Sequence, residues 1–294
     1  MPTPVIEFRH VSHAYGEGGA RAEVLHDVNL TLHEGEFLAI VGFTGSGKTT
    51  LVNLMTGLLR PTRGEVLYRG EPITGPAPER GIIFQNYSLL PWYTVYDNVA
   101  LSVGQVYPAW DAARVREHVL RFVEMVNLTP ALEKRPGELS GGMRQRVSIA
   151  RVLATDPDLL LMDEPLGALD ALTRGNLQEE ILKIWSANRR TAVLITNDVD
   201  EGVYMADRII PLDPPTDRGA TLGPELRIDL PRPRDKAALN TDERFQRVRT
   251  DLLNHLVELG EASRADRPAE RALPDLTPVL PARRRGLRRL LRRA

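Results

Sequence analysis

Apolar positions change their spacing along this chain, and the changes divide it. Residues 5–41 read as strands: Val5 to Val11, Val24 to Leu32 with Val28, Leu30 and Leu32 alternating with polar neighbours, and Phe37 to Val41 as an unbroken apolar run of the kind buried on both faces. That run enters a glycine-rich loop directly. Lys48 to Leu59 then reads as a helix, with Arg60-Pro61-Thr62-Arg63-Gly64 supplying the stop. Val66 to Tyr68 and Gly81 to Phe84 are expected as further strands on either side of the turn-rich Gly70 to Glu79.

From Gln85 to Ala154 the period becomes helical. Asp111 opens a helix whose Val115, Val119, Phe122, Val123 and Val126 recur at steps of three and four; Pro136-Gly137 breaks the pattern, and Gly141 to Leu153 forms the next helix. Alternation of strand and helix resumes with Leu159 to Met162, Ala171 to Asn188, Thr191 to Ile195 and a short helix after Asn197. The pattern predicts an α/β fold: a nucleotide-binding core on a mostly parallel sheet, antiparallel strands at the N-terminus, and a helical subdomain inserted at about 86–157. After Ile210 an irregular Pro- and Gly-rich connector leads to a helix from Asp242 to Leu259, which Gly260 is placed to end, and residues 261–282 carry four prolines and read as a linker. The expected division is a domain over 1–232, a helical extension over 233–260, and a linker with an arginine-rich tail over 261–294.

Composition narrows the class. With 294 residues, 42% of them apolar, the chain can bury a full core, and the absence of cysteine excludes disulfides and thiolate metal sites. The six histidines form no helical metal-binding pair; His10 and His13 are close but read as surface residues. No stretch approaches the about 18 apolar residues a membrane helix needs, and Met1-Pro2-Thr3-Pro4 does not begin a signal peptide. A cytoplasmic chain is expected, with any membrane pathway supplied by other polypeptides. The formal net charge of −1 hides seven arginines and no acid between Pro281 and Ala294, so the rest of the chain is distinctly acidic and a poor footprint for nucleic acid. In the tail, Leu287, Leu290 and Leu291 share one face of a short helix ringed by arginines, which suits anionic lipid as well as plain solvation.

The chemistry lies in ordered motifs. Gly42-Phe43-Thr44-Gly45-Ser46-Gly47-Lys48-Thr49 fits a phosphate-binding loop between strand and helix, where backbone N–H groups and a helix N-terminus face a phosphate chain. Gly42, Thr44, Gly45, Ser46, Gly47, Lys48, Thr49 and Thr50 are the binding candidates, with side chains at the glycines expected to hold the backbone off the phosphate oxygens. Lys48 is expected to reach the β and γ phosphates, and Thr49 to offer Mg²⁺ a hydroxyl. Asp163 ends a buried strand and is the second metal candidate, while Glu164 is placed to polarise the attacking water. Gln85, where a strand enters the helical insertion, suits a group that reports the γ-phosphate and touches the metal. Tyr15, in a polar loop after the first strand, is placed to stack on adenine.

Leu139-Ser140-Gly141-Gly142-Met143-Arg144-Gln145-Arg146 completes the set, its serine 92 positions after Lys48 and 23 before Asp163. Over about residues 5–212 the chain resembles the ATP-binding subunits of ABC importers. That resemblance implies a head-to-tail dimer with ATP held between the phosphate loop of one subunit and Ser140, Gly141 and Gly142 of the other, and Asp170 of Gly167-Ala168-Leu169-Asp170 in the loop that crosses the interface. Pro136-Gly137-Glu138-Leu139 resembles the importer form. Repair, chromosome or translation ATPases of the same class form the competing reading, but their long arms or second cassettes do not fit the 92-residue spacing.

Phe84 to Trp92 and Thr94 to Val99 are similar to the nitrate, sulfonate and taurine importer branch, and Ala206 to Leu212 followed by Leu230-Pro231-Arg232-Pro233-Arg234 is most similar to nitrate/nitrite importers. The implied function is ATP hydrolysis coupled to import of a small anion, nitrate or nitrite first, with sulfonate, taurine or another small anion as the alternative. The implied partners are membrane permease subunits, a second ATPase subunit, and indirectly a solute-binding protein, at the cytoplasmic face of the inner membrane. Tyr87, Leu89, Leu90, Pro91 and Trp92 place apolar bulk where a permease helix would dock, or else belong to the subdomain core. One departure stands out. The family usually has a histidine at the γ-phosphate where this chain has Asn197, which donates a hydrogen bond but carries no charge. A homodimer would lack the histidine twice, so pairing with a related, different ATPase subunit is expected.

Overall fold

The computed structural model describes residues 3–16, 22–188, 190–213, 218–239 and 241–265. In chain order the elements are β1 (Pro4–Tyr15), β2 (Ala22–His33), β3 (Phe37–Val41), α1 (Lys48–Thr56), β4 (Arg63–Tyr68), β5 (Glu71–Pro72) and β6 (Arg80–Ile83). Helices α2 (Val95–Val106), α3 (Ala112–Met125) and α4 (Gly141–Leu153) follow. Then come β7 (Leu159–Asp163), α5 (Ala171–Asn188), β8 (Thr191–Thr196), α6 (Val199–Met205), β9 (Arg208–Pro211), β10 (Leu226–Arg227), α7 (Lys236–Leu239) and α8 (Glu243–Ala265).

Among the described residues the strands form two sheets. One is antiparallel, in the order β2-β1-β4-β5; the other runs β10-β9-β3-β8-β7-β6 and is parallel except for β10 at its edge. The unbroken apolar run of β3 is explained by burial on both faces. Phe37, Ala39 and Val41 join Leu160, Met162, Ala192 and Leu194 in a core shared with α2 to α6 and α8. Leu38 and Ile40 join Leu159, Leu161, Val193 and Ile195 in a second core closed by Leu51, Leu54 and Met55 of α1 and by the antiparallel sheet. Each fully buried side chain of this size contributes about 1.5–3 kcal/mol, so a charge on either face of β3 is strongly disfavoured. Helices α2, α3 and α4 pack on one another, and α4 also meets β6.

Several expected boundaries move, each for a local reason. Helix α1 stops at Thr56 rather than Leu59, because Gly57 turns left-handed at φ 82° and donates its N–H to the Leu54 carbonyl before the proline is reached. The turn-rich stretch after Gly70 contains the short strand β5. Helix α8 runs through Gly260 to Ala265; the glycine costs about 1 kcal/mol in a helix and no proline follows until Pro268, so the helix continues into the expected linker. His13 is buried rather than superficial, with Nδ1 3.0 Å from the Arg60 carbonyl, whereas His10 is exposed beside Asp27. The arginine-rich tail and the rest of the linker lie outside the described residues.

Parallel order brings the carboxyl ends of β3, β6, β7, β8 and β9 to one edge. Ligands of open α/β sheets bind there. Gly42 follows β3, Gln85 lies two residues beyond β6, Asp163 ends β7, and Asn197 follows β8.

Candidate functional site at the carboxyl edge of the parallel sheet

The loop after β3 is shaped by close approach. A Cβ on Gly42 would sit 2.8 Å from the Leu212 carbonyl oxygen, so the chain after β9 also requires a glycine here. Gly45 and Gly47 hold φ 83° and 99°, and Gly47 caps α1 without any side-chain hydrogen bond. The sequence reasoning expected all three to clear space for phosphate oxygens; the structure gives Gly42 a packing reason and the other two a conformational one. Helix α1 therefore presents its first-turn N–H groups with no side chain across them, a geometry that favours anions. The Ser46 hydroxyl is buried without a partner, while Thr44 and Thr49 are exposed and Thr50 is buried.

Lys48 is 4% exposed. Its ammonium donates to the Gly42 and Phe43 carbonyls at 3.0 and 2.8 Å and lies 3.7 Å from Glu164 Oε1. Burial holds its pKa below the ordinary lysine value, against the opposing pull of Glu164 and Asp163. Burial likewise raises the pKa of the Asp163 carboxyl, and the Thr49 hydroxyl bonded to it pulls the other way. Thr49 and Asp163 thus meet as one oxygen pair. With two protein oxygens and room left for phosphate and water, the pair suits Mg²⁺, which is commonly held by one or two protein groups plus substrate.

Glu164 is where three side chains converge. Besides Lys48, Gln85 Nε2 donates to its Oε2 at 3.2 Å and Asn197 Nδ2 donates to its Oε1 at 2.7 Å. Its backbone is left-handed at φ 45°, at a cost of about 1–2 kcal/mol for a side chain with a Cβ. Its N–H is fixed on the Ile195 carbonyl at 2.9 Å, and its own carbonyl accepts from Gly167. The corner is held by the ends of β7 and β8 together.

The remaining candidates separate into two places. Tyr15 is 44% exposed, its hydroxyl 3.2 Å from Thr50 Oγ1 and its ring edge-on to His13. It stands beside α1, partly exposed. Ser140 caps α4, accepting from Met143 N at 3.2 Å, and its neighbours Gly141 and Gly142 lie against Leu169 and Thr173 on either side of Asp170. Asp170 in turn caps α5 through Thr173 N at 3.0 Å. The serine segment and the residues flanking Asp170 therefore meet, with Ser140 and Asp170 exposed and Gly142 buried. Trp92 is 64% exposed.

A cleft of about 530 Å³ beside Glu164 is lined by groups the sequence reading passed over, among them Arg174, Glu201 and Arg249. Thr196, Asp198 and Glu201 form hydrogen bonds on both sides of Asn197, and Gln178 of α5 reaches Glu201. A sequence signal existed: Asp198 followed three residues later by Glu201 is a capping pattern.

A phosphate loop, a serine segment and an acid pair in this order, with the loop and the acid pair at one sheet edge, match one family. The family described as ABC transporter covers residues 25–167. The chain belongs to the ABC transporter ATP-binding proteins. It is 46% identical over 232 residues to the nitrate import ATP-binding protein NrtD of Synechococcus elongatus, covering 79% of this chain and 84% of that protein. It is 43% identical over 253 residues to the bicarbonate transport ATP-binding protein CmpD of the same species, covering 86% of this chain and 90% of that protein. Bicarbonate relatives at this level were not foreseen from the sequence motifs. The dimeric ATP-binding cassette MJ0796, in a post-hydrolysis state with ADP and Pi, aligns with a TM-score of 0.69 at 30% identity, over 76% of this chain and 99% of that one. This ABC ATPase accordingly binds ATP and hydrolyses it.

Proposed function

We propose that this ABC ATPase drives the import of a small inorganic anion, nitrate or nitrite first, through a separate membrane permease. The observation that carries the catalytic half is the convergence of Lys48, Gln85 and Asn197 on Glu164 at the strand edge. In this reading the first-turn amides of α1 and the Lys48 ammonium hold the phosphate chain. Gln85 and Asn197 hold the Glu164 carboxylate toward the water that attacks the γ-phosphate. Thr49, Asp163 and Gln85 would hold Mg²⁺, which neutralises phosphate charge when bound. Tyr15 offers its exposed face to adenine. Ser140, Gly141, Gly142 and Asp170 stand apart from this group, which suits contact with the ATP of a second subunit, as the likeness to a dimeric cassette supports.

Nitrate and bicarbonate are both planar oxyanions, and NrtD, a nitrate import protein, and CmpD, a bicarbonate transport protein, divide between them. The tail segment Leu230 to Arg234 and the higher identity to NrtD favour nitrate; sulfonate or taurine is the alternative. Within the chain, residues 1–232 are proposed as the ATPase domain with the helical subdomain at about 86–157, followed by a helical extension from 233 that continues to the end of α8 at Ala265 rather than stopping at 260.

No helix among the described residues is long and apolar enough to cross a membrane. Attachment to the cytoplasmic face would come from the permease, docked against exposed Trp92 and its neighbours. The second ATPase subunit is proposed to be a related, different chain that supplies the histidine absent here. The test is the full transporter in lipid vesicles: nitrate should stimulate ATP hydrolysis and accumulate, whereas Glu164→Gln should bind ATP normally and lose about 10²–10³ in turnover. Normal turnover in Glu164→Gln removes the catalytic assignment. Stimulation by bicarbonate or taurine and not nitrate removes the solute assignment, and Trp92→Ala with unchanged co-purification removes the docking surface.

A further inference from the structure

Glu201 is 5% exposed, lies on α6, and has no place in the reading above. Both its carboxylate oxygens are used. Gln178 Nε2, itself buried on α5, donates to Oε1 at 3.1 Å, and the Thr196 hydroxyl donates to Oε2 at 2.5 Å. The same hydroxyl accepts from Asp198 N at 3.0 Å, and Asp198 Oδ1 accepts from Glu201 N at 3.1 Å. The residues before and after Asn197 are thus locked into one circuit that returns through Glu201.

The circuit leaves Asn197 exposed while fixing the backbone that carries it. It also attaches that backbone to α5, the helix that Asp170 caps. A second tie runs outside it: Arg174 of α5 donates to the Leu169 carbonyl at 3.1 Å and reaches Asp198 Oδ2 at 3.5 Å. A capping role for Glu201 would have turned its carboxylate back to the N-cap amide. Here the amide of Asp198 is satisfied by Thr196 instead, which frees Glu201 to face Gln178.

We infer that Glu201 is a positioning residue for ATP hydrolysis, holding the Thr196-Asn197-Asp198 corner against α5 so that the Asn197 amide stays on Glu164. The inference rests on the role proposed for Asn197. It makes the hold on Glu164 depend on α5, and hence on the surface around Asp170.

The test uses the full-length protein assembled with its membrane subunits, comparing kcat, KM for ATP and nucleotide affinity. Glu201→Ala should lower kcat about tenfold, since small displacements of a positioned group are costly, with KM and nucleotide affinity within about twofold. Glu201→Gln, which keeps the shape and a hydrogen bond to each neighbour, should recover most of the rate. In an Asn197→Ala background Glu201→Ala should cost almost nothing further, because it acts through a group already removed. Should Glu201→Ala fail to fold, Gln178→Leu with Glu201 intact makes the same comparison. An undiminished, additive loss in the Asn197→Ala background overturns the inference, as does a normal kcat in Glu201→Ala. If Asn197→Ala alone leaves kcat unchanged, it is the underlying role of Asn197 that fails.

Discussion

Asn197 reaches Glu164 through its side-chain amide, Nδ2 donating to Oε1 at 2.7 Å. A neutral donor is therefore in place where the family resemblance implies an ionisable ring. An amide keeps the same charge at every pH, so its hold on the carboxylate has no titration of its own.

A difference in pH profile follows. For the chain as it stands, log kcat should show no inflection from residue 197 between pH 5 and 8; with the second ATPase subunit's site disabled, Asn197→His should introduce one around pH 6.5, the range of an ordinary imidazole. Steady-state ATPase assays of the two assembled transporters across that range decide it. The same pair tests the proposed second ATPase chain: if the other subunit's site drives turnover, Asn197→His should raise activity only after that site is disabled. Brisk solute-stimulated hydrolysis by this chain and permease alone would instead show a homodimer to suffice.

Gly42 and Gly45 of the phosphate loop should fail differently on substitution by alanine. At Gly42 the new methyl meets a backbone oxygen, that of Leu212, whose own N–H is fixed on the Val41 carbonyl at 2.7 Å. Neither side can yield cheaply, so Gly42→Ala should cost about 1–3 kcal/mol as an overpacked site and weaken ATP binding by shifting the loop. At Gly45 nothing lies within 4 Å, and only φ 83° resists the change. Gly45→Ala should cost about 1–2 kcal/mol of local strain and be better tolerated by the fold. Thermal denaturation read alongside nucleotide titration separates the two.

That contrast shows where the sequence is legible. Strands β3, β7 and β8 were readable because burial on both faces leaves unbroken apolar runs, and the loop, the acid pair and Ser140 because their residue types and order are constrained by chemistry. The sequence supplied the presence of Gly42 but not its cause, since Leu212 lies 170 positions away and only the β3–β9 pairing brings it close. The Asp198–Glu201 spacing marks a cap, but the burial of Glu201 against Gln178 was not legible for the same reason: a lone Glu on a short helix gives no sign that it packs against another helix. Gly260 misled because a single glycine near a helix end is a preference that good neighbouring helix formers can override.

Arg234 shows how the Leu230-Pro231-Arg232-Pro233-Arg234 segment is tied to the site. The residue is 8% exposed, and its guanidinium donates to the carbonyls of Val203, Tyr204 and Ala206 at 2.9, 2.9 and 2.7 Å, closing the C-terminal end of α6. Burial, helped by neighbouring Arg232, pushes its pKa down to about 10, so it remains charged at neutral pH. Arg234→Met would strand these carbonyls and should destabilise by about 1–3 kcal/mol. Exposed Arg227→Met should change stability by less than about 0.5 kcal/mol in the same denaturant titration.

The buried carboxyl of Glu201 should leave its own mark on the pH dependence of stability. Burial raises its pKa above the ordinary 4.5, against the hydrogen bonds from Thr196 and Gln178, which favour the charged form. A carboxyl with a raised folded pKa binds more protons folded than unfolded between the two values. Its contribution to stability is therefore greatest below the unfolded pKa, falls as pH rises through the window between 4.5 and the raised folded value, and is constant above it. Glutamine has no such titration. Glu201→Gln should therefore gain stability relative to the parent as pH is raised through that window, and the difference should level off above it. Urea titrations of both proteins at half-unit steps from pH 4 to 8 measure the difference directly. A flat difference across the range would mean that the Thr196 and Gln178 hydrogen bonds fully offset burial, and an opposite slope that they outweigh it.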